Sequence, residues 1–272
     1  MKTRAYATAA VCTAAAFALA AEPADSFRAV KTVERHRGVS VGRLSMGDTY
    51  LSPETYRGME MGFIAETVSE KPASRYALHI LHRVSAASAA NRSVSGKELY
   101  AAYRLQTAFM RKHPAIAGKL QIKAGVAGMA EIGGVYNVRN SNNPAQASIG
   151  VGVGAAAAAR YRFRLCRRPL AAEYRATAQL AGLSFSPNYG QSYYEIFGLG
   201  QYDRNIVATT IFSASTLRHS ASLDIPLRGF SVRVGYTGEY VYSRVNSIKS
   251  FRHTSSISLG IVRKVSISAH SE

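Results

Sequence analysis

Gly229-Phe-Ser-Val-Arg-Val-Gly-Tyr-Thr-Gly-Glu-Tyr-Val-Tyr242 alternates in character from end to end. Phe230, Val232, Val234, Tyr236, Tyr240 and Tyr242 share one face, and Ser231, Arg233, Gly235, Thr237 and Glu239 share the other. A period of two with aromatic rings at both ends describes a β-strand with one face on lipid and one on a polar interior. An amphipathic helix needs apolar residues three and four apart, and this segment does not supply them.

Working outward, the same period recurs along the chain. The longest run places Ala147, Ile149, Val151, Val153, Ala155, Ala157, Ala159, Tyr161 and Phe163 on one face, with Arg160, Arg162 and Arg164 on the other. The alanine block 155–159 has helical propensity, but it sits inside an unbroken register of two and reads as strand. Shorter alternating runs occupy 38–44, 59–66, 75–85, 99–109, 120–132, 172–180, 206–225 and 257–267. The sequence therefore predicts an all-β protein, a closed antiparallel transmembrane β-barrel of about ten strands (range eight to twelve) with periplasmic termini. Short turns at 69–74, 111–118, 166–169 and 226–229 fall on the periplasmic side. Longer loops at 45–55, 88–96, 138–145, 185–205 and 244–250 fall outside, as this class requires. On the lipid face, Tyr76, Phe109, Tyr161, Phe163, Tyr174 and Phe230 form a periplasmic girdle. Tyr56, Tyr136, Tyr240, Tyr242 and Phe251 form an outer one. His82, His219 and Arg43 also land on the lipid face, where a charge or polar ring is costly.

The N-terminus sets the compartment. Lys2 and Arg4 precede the apolar run Tyr6–Leu19, and Ala18-Leu-Ala20 is a small-x-small cleavage site. Residues 1–20 are read as a signal peptide, 21–37 as a periplasmic arm and 38–272 as the outer-membrane barrel. The chain carries 34 Lys and Arg against 16 Asp and Glu. Losing Lys2 and Arg4 leaves a formal charge of +16. In a chain exported from a Gram-negative cytoplasm, with its cations scattered and no basic helix, this charge excludes nucleic acid and faces anionic outer-membrane lipid and lipopolysaccharide. Cleavage also removes Cys12, leaving Cys166 without a disulfide partner or a metal-ligand spacing.

Two loop segments, Asp48-Thr-Tyr-Leu-Ser-Pro-Glu-Thr-Tyr-Arg-Gly58 and Ser186-Pro-Asn-Tyr-Gly-Gln-Ser-Tyr-Tyr-Glu-Ile-Phe197, resemble an uncharacterised family of Bacteroidota outer-membrane barrel proteins. That family is a domain-of-unknown-function family. The resemblance implies a barrel in the outer membrane and supplies no catalytic residue.

The interior face carries both signs of charge: Glu60, Glu66, Arg83, Glu98, Arg104, Lys123, Glu131, Arg160, Arg162, Arg164, Glu173, Arg175, Arg233 and Glu239. A barrel of ten strands is too narrow for a porin-like channel, so these side chains are expected to cross-link the wall as ion pairs. The alternative is a narrow anion-preferring path along Arg160, Arg162 and Arg164. A hydrolase needs a nucleophile, a base and an orienting group converging at one rim. The inward His79 has no Ser and acid at a matching spacing. An outer-membrane lipid- or peptide-modifying hydrolase stands as the third alternative, after the channel, and the reading assigns no catalytic residue, metal or cofactor. It takes the barrel as a monomer of structural or surface-binding type, inserted by the barrel-assembly machinery. In the outer loop 186–203, Tyr189, Tyr193, Tyr194, Phe197 and Tyr202 offer rings for a surface glycan or protein. The same loop also reads as a lid packed over the barrel mouth.

Overall fold

The computed structural model describes residues 30–268, positions 73, 115 and 142 excepted. The expected signal peptide, residues 1–20, and the expected arm as far as residue 29 lie outside the described residues. Antiparallel strands β1 (Val30–Asp48), β2 (Ser52–Glu70), β3 (Tyr76–Ala90), β4 (Lys97–Lys112), β5 (Leu120–Asn137), β6 (Ala145–Leu165) and β7 (Arg168–Phe185) follow one another around a single sheet. After the short helix α1 (Tyr193–Phe197) come β8 (Ile206–Thr210), β9 (Ala214–Pro226), β10 (Ser231–Val245) and β11 (Ile248–Ser268). Pairing of β1 with β11, from Val30↔Ser268 to Asp48↔Ser250, closes the cylinder.

β8 and β9 are two halves of one barrel strand. β7 pairs with β9 over Ala171–Ala178 and with β8 over Ala181–Phe185. Gln179 and Leu180 of β7 thus face a bulged segment, 211–216, which accounts for the weak alternation there. The barrel has ten strands, as the repeat predicts.

Side chains alternate strictly between wall and lumen. In β3 every second residue from Ala77 to Ala89 is buried and the residues between are mostly exposed. A closed barrel leaves no free edge, so every ladder group of the wall can pair within the membrane. No described helix is long and apolar enough to cross a membrane. The exposed residues form an apolar belt that includes Val39, Met61, Phe63, Val126, Val151, Ile257 and Leu259. Its rings sit largely as the girdles require. Tyr76 stacks on Phe109 at 4.9 Å, Tyr161 on Phe163 at 5.8 Å, and Tyr136, Tyr240 and Tyr242 face outward.

Three expectations are corrected. Tyr56 is 3% exposed and points inward, because β2 already begins at Ser52 and Tyr56 shares its parity with Glu60. The loops 45–55 and 244–250 shrink to residues 49–51 and the two-residue turn Asn246-Ser247, whose φ angles of 50° and 64° suit a tight hairpin. β1 starts at Val30 instead of residue 38, so the last eight residues of the expected arm belong to the wall. Charges sit on both faces there, Glu34 and His36 buried and Arg35 and Arg37 exposed, so hydrophobic alternation gives no signal.

Two of the three polar residues on the lipid face find partners. His82 Nδ1 lies 2.8 Å from the Tyr103 hydroxyl, and His219 stacks flat on Tyr240 at 6.1 Å. Arg43 is exposed on β1, opposite Ser255 and Met59.

Candidate functional site

The lumen is filled by two layers of ion pairs. In the periplasmic layer, Arg233 on β10 donates to Asp224 on β9 (2.6 and 2.9 Å), Glu34 on β1 (2.7 Å) and Glu66 on β2 (3.2 Å). Arg160 on β6 reaches Asp224 (2.7 Å), Glu34 and Glu173. Arg175 on β7 bonds Glu173 at 2.5 Å and Glu66 at 3.1 Å, and its Nη1 also lies 3.1 Å from His79 Nε2. His36 Nδ1 stands 3.3 Å from Glu66. Nearer the periplasmic rim, Lys123 pairs with Glu70 and the half-exposed Lys264 with Glu34.

In the outer layer Arg104 on β4 bonds both Glu131 on β5 and Glu239 on β10, while Arg252 on β11 bonds Glu131 (3.0 Å). The Arg252 guanidinium lies 4.5 Å from the Tyr100 ring centre, a cation–π contact that shields its face. Arg83 pairs with Glu60. Among the described residues, the ion-paired set comprises eight Asp or Glu and eight Lys or Arg. Charges this buried are tolerable only when paired, and here nearly all are. Among the described residues Arg218 and Glu98 are the exceptions: both are buried without an ion-pair partner, Arg218 Nη1 donates no hydrogen bond and Glu98 Oε2 accepts none.

Eleven of the fourteen predicted interior charges join this network. Arg162 and Arg164 do not: both are exposed near the C-terminal end of strand β6, past the periplasmic layer. The expected file of three arginines is therefore one paired Arg160 and two residues at an open mouth. Glu98 also departs from expectation. It is 1% exposed and accepts a bond from Asn137 Nδ2 (3.0 Å), in company with the Tyr56 hydroxyl, and meets no cation. Glu34, His36, Asp224, Arg218 and Arg252 were missed. All lie at lumen parity, just beyond or within runs whose apolar alternation is weak.

Above the outer layer is a cavity of about 170 Å³, bounded by Met46, Glu98, Gln146, Gln179, Val245, Ile248 and Arg252. The segment between β7 and β8 folds over it as a lid. Ser192 caps α1 by accepting from Glu195 N (3.2 Å), and Glu195 accepts in return from Ser192 N (2.7 Å). The Ser192 hydroxyl also donates to Glu195 Oε2 (2.9 Å), and its backbone N–H and hydroxyl together hold the Glu195 carboxyl below its ordinary pKa. Ile196 is fully buried. The Tyr193 hydroxyl donates to Gln146 Oε1 (2.9 Å) and accepts from Ala147 N (2.6 Å). Tyr50 donates to the Gln191 carbonyl at 2.8 Å, and Asn246 donates to the carbonyls of Ser186 and Arg204. Burial pushes the Tyr50 hydroxyl up to about 12 and raises Tyr193 also, so both stay protonated donors. Of the five loop aromatics, Tyr193 is thus spent on closure. Tyr189, Tyr194, Phe197 and Tyr202 stay between 62% and 71% exposed.

Among the described residues, no group of three or more His, Cys, Asp or Glu is placed to hold a metal. An apolar belt outside, charge inside and a lid at one end define a β-barrel of the outer-membrane type. The chain belongs to the family described as "Protein of unknown function (DUF3316)", whose model matches residues 7–270. Solved structures similar to it include outer membrane protease OmpT from Escherichia coli, at 7% identity and TM-score 0.49, covering 90% of this chain and 99% of that one. Neisserial surface protein A follows at 9% identity and TM-score 0.35, covering 85% and 97%. The transport unit of the autotransporter AIDA-I from Escherichia coli has 9% identity and TM-score 0.38, covering 94% and 96%. No curated protein matches the chain.

Proposed function

We propose that this protein is an outer-membrane barrel of structural or surface-binding type, closed to solute and presenting the lid segment 186–203 to the exterior. In this reading the chain is exported through residues 1–20 and inserted as a monomer by the barrel-assembly machinery. It has no hydrolytic activity of its own, and the Bacteroidota provenance implied by its loop motifs belongs to the same reading. The observation that carries it is the span of the ion pairs. Arg104 of β4 meets Glu239 of β10, Arg175 of β7 meets Glu66 of β2, and Arg160 of β6 meets Glu34 of β1. None of these strands are neighbours, so the bonds cross the lumen and fill it. An anion path would need Arg162 and Arg164 at a constriction, and they stand outside it.

The partner is a surface glycan or protein engaged by Tyr189, Tyr194, Phe197 and Tyr202, rings that lose little rotamer entropy on binding. Planar-bilayer recording tests the closed lumen: the purified barrel gives no unitary steps, and reproducible steps would establish a channel instead. A glycan array probed with the folded barrel tests the surface. Signal that survives replacement of Tyr189, Tyr194 and Tyr202 by Ser would remove the loop as the binding face.

A further inference from the structure

Since the ion-paired acids and cations balance, the formal charge of +18 rests wholly outside that network. On the outer face of the wall part of it gathers at one place. Arg244 and Lys249 stand directly opposite each other across the β10–β11 hairpin, both exposed, and neither has an acid partner among the described residues. Like charges paired across a ladder destabilise a sheet. No described acid offsets this pair.

Beside them the bulge between β8 and β9 thrusts out Phe212, 89% exposed, more than any other described large apolar side chain. The bulge is built rigidly. Ser213 N donates to Thr210 O (3.0 Å), Thr210 N donates to Ser213 Oγ (2.9 Å), and Arg244 N donates to Ser213 O (2.7 Å). Thr210, Phe212, Ser213, Arg244, Ser247 and Lys249 line one open groove of about 420 Å³. Two pairs further down the hairpin, Tyr242 faces Phe251 on the lipid side, so the groove sits at the edge of the outer aromatic girdle.

Two cations call for phosphate, three hydroxyls for sugar hydroxyls, and a bare phenyl ring at the girdle for acyl chain. We propose that this groove binds the phosphorylated disaccharide headgroup of an outer-leaflet lipid, of the lipid A type, with its acyl chains lying along Phe212. The inference rests on the reading above that places this rim at the outer leaflet.

The test uses the full chain folded in detergent, with fold verified by heat-modifiable gel mobility, titrated with bisphosphorylated lipid A and followed by native mass spectrometry. The double variant R244Q/K249Q binds roughly thirtyfold more weakly, the loss expected for two headgroup-facing cations. F212S weakens binding without changing its salt dependence. Dephosphorylated lipid A, phosphatidylglycerol and inorganic phosphate bind the unaltered barrel no better than lipid A binds the double variant. Undiminished binding by R244Q/K249Q overturns the proposal, and so does equal affinity for phosphatidylglycerol. K249Q alone, at an exposed hairpin position, tests it should the double variant not fold. A barrel that conducts yet binds lipid A here defeats the closed-lumen reading alone. One that binds glycan but not lipid A defeats this site alone.

Discussion

Replacing Arg233 by Met removes the cation that holds Asp224, Glu34 and Glu66 together. Its guanidinium makes four bonds of 2.6 to 3.2 Å to those three carboxylates, and its side chain is 4% exposed. Arg160 and Arg175 remain, each already engaged with other acids, so the periplasmic layer keeps negative charge that water does not reach. Breaking a buried pair by deleting one partner costs about 3–5 kcal/mol, because the surviving charge is left uncompensated. Taking a urea dependence of about 2 kcal/mol per molar, the unfolding midpoint falls by roughly 1.5–2.5 M. The assay is urea titration of the folded barrel in lipid vesicles, read from the fraction with heat-modifiable mobility. Adding Asp224→Asn to the same chain recovers part of the loss, on the order of 1–3 kcal/mol, since it takes away one surplus charge. Lys264→Ala is the internal control: that side chain is 52% exposed and 3.4 Å from Glu34, so its removal costs under about 1 kcal/mol. Equal midpoints for R233M and K264A would refute the reasoning, for they would show a lumen wet enough to screen its pairs.

The lid supplies two more predictions. Tyr193→Phe deletes the hydroxyl that joins Gln146 and Ala147, at about 1 kcal/mol, and hydrogen exchange across 186–205 speeds up while the strands stay protected. Glu195 has a lowered pKa in the folded lid, so its contribution is present above the unfolded carboxylate value and is lost as pH falls through the folded one. Protease nicking at the lid therefore rises on acidification, and Glu195→Gln flattens that pH dependence.

The wall was legible because the membrane enforces it: lipid on one face and charge on the other leave a period of two that survives even through five alanines. The aromatic girdles were legible for the same reason, Tyr56 excepted. That error and the missed members of the network share a cause. Apolar alternation ends where a strand leaves the lipid, yet the ladder continues, and Glu34 and His36 lie on that continuation. Arg218 and Asp224 fall in β9, whose outward positions Leu217, His219 and Ala221 are too mixed to announce a face. Carrying the parity of each run past its apolar limits would have found them. Which acid meets which cation was never in the sequence, since it depends on strand stagger around the cylinder. The lid's closure was equally hidden, because its anchors come from the start of β6 and from hairpins 48–52 and 245–248, apart from it in the chain.

The seam between β1 and β11 bears on how the molecule is made. Glu34 and Arg233 are 199 residues apart and share a bond only once the first and last strands have met. Until then the charges that pair across the lumen, such as Glu34 with Arg160 and Glu66 with Arg175, stay apart. Sealing the wall and forming the pairs that cross the lumen are thus a single late event, whereas pairs between neighbouring strands, such as Arg83 with Glu60 and Arg233 with Asp224, do not wait for it. A chain cut short of β11 forfeits both at once, leaving an open sheet with a free edge and unneutralised acids, the kind of product that periplasmic proteases remove.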